Sequence, residues 1–389
     1  MNILFITEDH STTNYGITTI VSQLADQLIE SYTDLSLTIF TTRAKSVMQN
    51  PSISIVEVVP TKWFRFWSWS PGLRTKLLQT IREKKIDLIH IHGIWMAVQV
   101  YALQIAKELH IPCIVSPHGM LESWLWNQQS RLGQTKKKLY FNLVLKPALN
   151  PDVVFHAITP KELDNLVAQL PEQSLETIPN AISVSESKKK NNCSKKTNDF
   201  LFLGRLHPVK AIDLLIQAFF DAHLPDAWQL VIAGPEYVPE YTAKLKTMVA
   251  FLGMEKNIQF IGPIQGTEKQ KYLENSWCMV IPSYSEVIGM VNLEAAVSEL
   301  PSITTYETGL YDWDEGGGIL IHPNTIELTT ALKQAAAWTQ DERKKRGRKS
   351  LELVYAKYSW QVVLPIWRKF YSDLITNKES SSDPRNEMR

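Results

Sequence analysis

Two blocks of short apolar runs, each alternating with longer amphipathic stretches, constrain this chain more than any other feature. In the first block the runs are Asn2–Thr7, Leu35–Phe40, Ile53–Val58, Asp87–Ile91, Pro112–Ser116 and Val153–Ile158. They are too short for helices and rich in Ile, Leu, Val and Phe, so they read as strands. The intervening pattern Ile20, Val21, Leu24, Leu28 has helical spacing, and another helix is expected from Lys161. The second block repeats the scheme with Phe200–Leu203, Trp228–Ala233, Ile258–Ile261 and Trp277–Ile281, and with helices at Ile212–Phe220 and Met290–Val297. Such alternation predicts α/β architecture with parallel sheets covered on both faces. Ligands of such sheets bind beyond the carboxyl ends of the strands.

A chain of 389 residues exceeds one hydrophobic core and predicts two domains. The stretch Ser185–Asn198 is rich in Ser, Lys and Asn, almost free of apolar residues, and reads as a solvated linker. The expected organisation is a first domain over 1–187, a linker over 188–198 and a second domain over 199–359. A last amphipathic helix follows over 360–375, with a polar, disordered tail over 376–389. The 41 basic and 40 acidic side chains nearly cancel, so no global field favours nucleic acid. Cys113, Cys193 and Cys278 are far apart, which suggests a reducing compartment with neither a disulfide framework nor a zinc site. The start, Met1-Asn2-Ile3-Leu4-Phe5-Ile6-Thr7, reads as a strand and not a signal peptide, and no apolar run could span a bilayer. A cytoplasmic protein is expected.

The candidate chemistry lies in loops that follow strands. After Trp277–Ile281 comes Ser283-Tyr284-Ser285-Glu286-Val287-Ile288-Gly289, then the helix opening Met290-Val291-Asn292-Leu293-Glu294. Strand, loop and helix in that order aim backbone N–H groups and a positive dipole end into the loop, which suits a diphosphate at Gly289, Met290 and Val291. Glu286 in the loop and Glu294 about a turn into the helix can face one pocket, and carboxylates accept hydrogen bonds from adjacent sugar hydroxyls. Arg205 and Lys210 lie in or just after the turn that follows Phe200–Leu203, where two cations could hold a pyrophosphate. These features together suggest a sugar nucleotide.

This arrangement resembles the retaining GT-B glycosyltransferases of family 4, in particular those acting on bacterial surface polysaccharides. The resemblance is carried by Glu286-x7-Glu294, by Gly204-Arg205-Leu206-x-x-x-Lys210 and by Pro117-His118-Gly119-Met120-Leu121, with Ile178-Pro179-Asn180-Ala181-Ile182 before the linker. It implies two Rossmann-like domains facing across a cleft, the first binding acceptor and the second nucleotide sugar, with the 360–375 helix crossing back onto the first. It implies transfer of a hexose, UDP-linked, to a glycan or lipid-linked glycan acceptor, without a metal or other cofactor. Arg205 and Lys210 would neutralise the leaving diphosphate, Glu286 would bind the sugar and Glu294 the ribose. His118 would orient the donor, Gly16 would approach a phosphate, and the backbone near Ile264 would hold the base. The chain departs from the family pattern at Tyr15 and Ala211, where glycine is usual, at Val287-Ile288, and at Ser298-Glu299-Leu300-Pro301.

The segment Trp63, Phe64, Arg65, Phe66, Trp67 and Trp69 combines aromatic and cationic side chains and suits a membrane interface or a lipid-linked acceptor. Trp124, Trp126, Arg131 and Lys136–Lys138 extend that character. Packing over the domain is the alternative reading for this segment. His90 and His92 are strand neighbours on one face and read equally as packed side chains. Asp312-Trp313-Asp314 matches a loose metal-binding pattern, which chance also produces. Rival functions are a nucleotide-sugar epimerase or phosphorylase on the same fold, or a non-catalytic donor-binding partner of another transferase.

Overall fold

The computed structural model describes residues 1–11, 16–44, 50–122, 131–184 and 197–381. It divides into two compact units: Met1–Asn180 with the C-terminal segment from Val363, and Ala181–Val362.

The first unit is built on a seven-stranded sheet in the order β3-β2-β1-β4-β5-β6-β7. Its strands are β1 (Asn2–Thr7), β2 (Ser36–Thr41), β3 (Ser54–Glu57), β4 (Leu88–His92), β5 (Cys113–Ser116), β6 (Val153–Ala157) and β7 (Ser174–Thr177). All pair in parallel. The central strands β4, β5 and β6 are buried along their whole length, as continuous apolar runs require when helices cover both faces. Helices Ile17–Ser31, Leu73–Glu83, Ala97–Leu109 and Pro160–Gln169 supply that cover. The winding direction reverses between β1 and β4, so their carboxyl ends open the crevice where a ligand of such a sheet binds.

The helix Trp360–Ser381 is tied to this sheet through a buried polar chain. The Tyr371 hydroxyl lies 2.9 Å from His90 Nδ1, His90 Nε2 lies 2.7 Å from Ser116 Oγ, and Ser116 Oγ lies 2.7 Å from His156 Nδ1. His156 Nε2 is 2.7 Å from the Ile178 carbonyl. A carbonyl only accepts, so His156 carries its proton on Nε2 and the remaining directions follow. Ser116 donates to His156, His90 Nε2–H donates to Ser116, and Tyr371 donates to His90. Every ring in the chain is thereby satisfied in a neutral form. Burial depresses the proton affinity of His90 and His156, the latter to about 4.

The second unit holds a six-stranded sheet in the order β10-β9-β8-β11-β12-β13. Its parallel strands are β8 (Asp199–Leu203), β9 (Gln229–Ala233), β10 (Ile258–Gly262), β11 (Cys278–Ile281), β12 (Ser302–Thr305) and β13 (Ile319–Ile321). Phe200, Phe202, Leu230, Ile232, Met279 and Val280 form the middle of its core. Helices Ile212–Asp221 and Thr325–Ala336 are among those packed on the sheet. The reversal here lies between β8 and β11.

Two expected boundaries move. The first unit ends at Asn180, before residue 187, because Ile182 donates to the Tyr358 carbonyl at 2.8 Å and bridges Ser359, which hold it to the second unit. The last helix continues through Ser381, so residues 376–381 are helical and not a disordered tail. Nothing in Ile375-Thr376-Asn377-Lys378-Glu379 breaks a helix, since neither Gly nor Pro interrupts it. Residues 188–196 of the linker and 382–389 of the tail lie outside the described residues.

Candidate functional site

In the second unit the expected residues gather at the carboxyl ends of β8 and β11, the point of reversal. The turn after β8 is stitched to the exit of β9, with Gly204 N–H donating to Ala233 O at 3.0 Å and Leu206 N–H to Pro235 O at 2.9 Å. It leaves Arg205 exposed, with its guanidinium carbon 4.8 Å from the centre of the Tyr237 ring. Stacking of this kind orients a guanidinium while leaving its N–H fork available to an anion. His207 Nδ1 accepts from Val209 N–H at 3.1 Å and starts the short 3-10 turn Pro208–Lys210. Burial, then Arg205 and Lys210, lower the proton affinity of His207. Both cations are therefore close enough to be felt at one ring.

The loop after β11 is sewn to this turn by Tyr284 N–H donating to Val209 O at 2.8 Å. On its other side, Glu286 N–H donates to Glu307 O and Gly289 N–H to Thr308 O, both at 2.9 Å. These bonds bring Lys210 Nζ to 2.9 Å from Glu286 Oε2, with the two side chains only 15% and 13% exposed. Ser283 donates to the other Glu286 oxygen at 2.5 Å. A half-sheltered pair like this is weakly screened and holds both groups in one orientation. The sequence expectation placed Lys210 and Glu286 on different parts of a ligand; the structure places them in contact.

Glu294 is not part of that contact. It pairs with Lys269, from the Gly266–Asn275 helix, at 2.7 Å. Gly289, Met290 and Val291 open the Met290–Val297 helix, and no side chain caps it. Ile264 is buried in the loop after β10, two residues beyond Gly262.

A buried polar network, unread in the sequence, supports this loop. Asn292 donates to Thr304 Oγ1 at 3.1 Å and accepts from Ser302 Oγ at 2.9 Å. Trp313 Nε1–H donates to Ser302 Oγ at 3.0 Å, and Thr304 and Thr308 hydroxyls are 3.1 Å apart. The helix is thus keyed to β12 in one register. The one signal in the sequence is a lone Asn on an otherwise apolar helix face facing a Thr-rich strand.

In the first unit, Gly16 ends the loop after β1 with φ 122° and ψ −107°, a conformation open only to glycine, and starts the Ile17–Ser31 helix. His92 ends β4, and His118 follows β5 with φ 53°. His92 Nδ1 lies 3.0 Å from His118 Nε2, and the two rings stack. Glu162, buried under the loop, accepts from Gly119 N–H at 2.6 Å and from Ile158 N–H at 2.8 Å. Its desolvation raises the carboxyl to about 7. Nothing in the sequence marked Glu162, which is 43 positions from the loop it holds.

The aromatic segment divides by side. Trp63 and Phe66, on the 3-10 turn Lys62–Trp67, are 88% and 77% exposed, and Phe64 and Arg65 also face outward. Trp67 and Trp69 turn inward against the core, donating to the Tyr140 and Tyr101 hydroxyls at 3.2 and 2.9 Å. Tyr140 ends the Arg131–Tyr140 helix, whose Leu132, Leu139, Lys136 and Lys138 are exposed. Trp124 and Trp126 lie outside the described residues. No helix among the described residues is long and apolar enough to cross a membrane.

Asp312 pairs with Lys357, and Trp313 beside it is fully buried. Among the described residues no three His, Cys, Asp or Glu side chains are grouped as metal ligands.

Comparison with known proteins agrees with this fold. Residues 15–186 match the glycosyltransferase family 4 model, and residues 183–349 match that of glycosyl transferases group 1. The chain is 24% identical over 341 residues to an uncharacterised glycosyltransferase of Methanocaldococcus jannaschii, covering 79% of this chain and 81% of that one. It is 25% identical over 324 residues to the D-inositol 3-phosphate glycosyltransferase of Corynebacterium glutamicum, covering 78% and 76%. Among solved structures, Anabaena HepE in complex with UDP and glucose superposes with a TM-score of 0.73 at 16% identity, over 96% of this chain and 100% of that one.

Proposed function

The chain belongs to the GT-B glycosyltransferases of family 4 and group 1, and from that premise we propose that it moves a hexose from UDP to a glycan or lipid-linked glycan acceptor with retention of configuration. The observation that carries this reading is the Lys210–Glu286 pair at the carboxyl ends of β8 and β11, with Arg205 at the start of the same turn. Cations and acids at a point of reversal suit a ligand that is anionic at one end and rich in hydroxyls at the other. The solved HepE complex, which holds UDP and glucose, supports the same donor class.

In this reading Arg205 and Lys210 bind the diphosphate oxygens and lower the energy of the leaving group as the bond to the anomeric carbon breaks. No metal is invoked for that charge. Glu286, oriented by Ser283 and Lys210, accepts hydrogen bonds from sugar hydroxyls, and Glu294 accepts them from the ribose. Backbone at Ile264 holds the base, and the helix start at Gly289, Met290 and Val291 turns its positive dipole end to phosphate, with the Gly289 and Met290 N–H groups already held by the Thr308 and Ile288 carbonyls. Gly16 gives room for phosphate at the first unit, and His118 orients the donor. The acceptor hydroxyl attacks the anomeric carbon on the face the diphosphate leaves, and its proton passes to a phosphate oxygen. The acceptor is proposed to be presented at a membrane surface, reached through Trp63, Phe64, Arg65 and Phe66.

The experiment is a thermal-shift panel of nucleotide sugars, since a ligand that binds only the folded state raises the melting temperature. It is followed by donor hydrolysis and transfer assays with Arg205→Ala and Lys210→Ala. Each substitution should lower kcat/KM by about a hundredfold or more. Unchanged donor turnover in the double variant rejects the reading.

A further inference from the structure

Packing is only one of the readings the sequence leaves open for His92, and the proposed function gives it no task. Its surroundings do. The His92 ring is 3% exposed, with Phe5 edge-on at 5.0 Å and the His90 ring at 4.1 Å. Its Nδ1 meets His118 Nε2 at 3.0 Å, and its Nε2 is buried with no partner among the described residues. His118 Nδ1 is likewise buried and unpartnered among the described residues.

Two imidazole nitrogens in hydrogen-bond contact share one proton: one must donate and the other accept. Desolvation disfavours the charged form of both rings, so each is neutral and carries one N–H. Two arrangements are then open. If His118 donates from Nε2, its Nδ1 is a bare lone pair and His92 is left with a buried N–H that nothing accepts. If His92 donates from Nδ1, its Nε2 is the bare lone pair, and His118 offers an N–H at Nδ1. An orphaned buried donor is rarer in folded proteins than an acceptor short of a partner. In the free protein each arrangement leaves one buried N–H without an acceptor among the described residues, at His92 Nε2 in the first and at His118 Nδ1 in the second, and a ligand oxygen at His118 Nδ1 relieves only the second.

We infer that His92 is a positioning residue that sets the tautomer of His118, so that His118 meets the donor as a neutral Nδ1–H donor to a phosphate or sugar oxygen. This rests on the proposed donor-binding role of His118. It also separates the contact from the cation pair at Arg205 and Lys210: His118 supplies direction and no charge, and the contact does not switch off where an ordinary histidine titrates.

The test combines a spectroscopic and a kinetic readout. The ring nitrogens of histidine-labelled protein are followed by nitrogen NMR as the nucleotide sugar giving the largest thermal shift is added, with signals assigned by their loss in His92→Asn and His118→Asn. The bound protein should show His118 protonated at Nδ1 and His92 protonated at Nδ1. In parallel, His92→Phe, which keeps a ring and removes the donor, should raise the KM for donor about tenfold with little change in kcat, as one lost hydrogen bond in the bound state predicts. His92→Asn, whose amide N–H can take the place of Nδ1–H, should restore most of that loss. His118 protonated at Nε2 in the complex, or equal KM values for His92→Phe and wild type, overturns the inference. A donor KM unmoved by His118→Ala would instead reject the role of His118 itself.

Discussion

The α-carbon of Gly234 faces the carbonyl oxygen of Gly204 so closely that a Cβ on Gly234 would lie 1.8 Å from it. Gly234 leaves β9 with φ 151°, and the Gly204 peptide begins the turn that carries Arg205 and Lys210. Nothing flexible separates the two, since both are backbone.

Gly234→Ala should consequently displace the β8 turn or the β9 exit, at a cost of about 3 kcal/mol or more through combined clash and backbone strain. Urea unfolding should show the loss, and donor affinity should fall with it because Arg205 moves with the turn. An Ala variant of wild-type stability would mean that the two strand exits are less tightly joined than the geometry requires.

Ala211 presents the opposite case, a side chain where the backbone favours none. It holds φ 52° and is fully buried between the Pro208–Lys210 turn and the Ile212–Asp221 helix. An L-residue in this region costs about 1–2 kcal/mol, while glycine costs about 0.4–1 kcal/mol in the unfolded chain. The lost burial of its methyl adds about 0.8 kcal/mol against the exchange, so Ala211→Gly is expected to leave stability within about 0.5 kcal/mol of wild type, read as a nearly unmoved urea midpoint at unchanged slope.

Both residues belong to a part of the fold that was legible in the sequence. Strands β1, β8 and β11 are apolar runs closed by a loop with a glycine or proline, and the helix from Met290 follows its loop directly. Strands β7 and β13 were not legible: Ser174–Thr177 alternates exposed and half-buried residues, and Ile319–Ile321 has only three. A short edge strand takes its conformation from its neighbour and not from its own pattern. The contacts within the site were legible only in part. Arg205, Lys210, Glu286 and Glu294 announce themselves by spacing, but the Lys210–Glu286 contact depends on a backbone bond from Tyr284 to Val209. Glu162, Asn292 and the His90–Tyr371 contact join positions 43, 12 and 281 residues from their partners, beyond any local pattern.

The buried histidines of the first unit make stability depend on pH. The folded proton affinities of His90, His92, His118 and His156 lie below the ordinary value of 6.5, with His156 near 4 and His118 near 3. Unfolded chains therefore bind more protons at these sites as pH falls below 6.5, and that stability is lost toward pH 4. Glu162 runs the other way, because its carboxyl, raised to about 7, favours the folded state between 4.5 and 7 when protons are plentiful. His90, His92, His118 and His156, with His10 shifted the same way, outweigh Glu162 with the raised Glu8 and Asp26, so acidification below 6.5 leaves a net loss of stability. Urea midpoints measured at pH 7.5 and 5.5 should show it, and a midpoint that holds or rises on acidification would contradict the neutral network.

Tyr371→Phe removes one donor from that network and leaves His90 Nδ1 as a buried acceptor without a partner. The expected cost is about 1–3 kcal/mol. Because Tyr371 lies on the Trp360–Ser381 helix, the loss should appear first as faster amide exchange at that helix and only later as global unfolding. Uniform exchange across the first unit would show that its apolar contacts at Trp367 hold the helix without the tyrosine.

The outward face of the aromatic segment makes the last prediction. Trp63, Phe64 and Phe66 are exposed beside Lys62 and Arg65, and the neighbouring helix adds exposed Leu132 and Leu139 with Lys136 and Lys138. Trp67 locks the two elements together through Tyr140. Apolar side chains that insert and cations that meet anionic headgroups reinforce one another at an interface, with each cation worth about 1 kcal/mol near an anionic surface. The protein should sediment with vesicles containing anionic phosphatidylglycerol and far less with phosphatidylcholine alone. Trp63→Ser with Phe66→Ser should weaken that binding by about tenfold or more, while thermal stability and turnover of a soluble acceptor stay near wild type, since neither ring packs on the core. Added salt should weaken the binding of wild type and of the double variant by a similar factor, because Lys62, Arg65, Lys136 and Lys138 are the same in both. Equal partition onto neutral and anionic vesicles, or none onto either, would leave these side chains to a different surface.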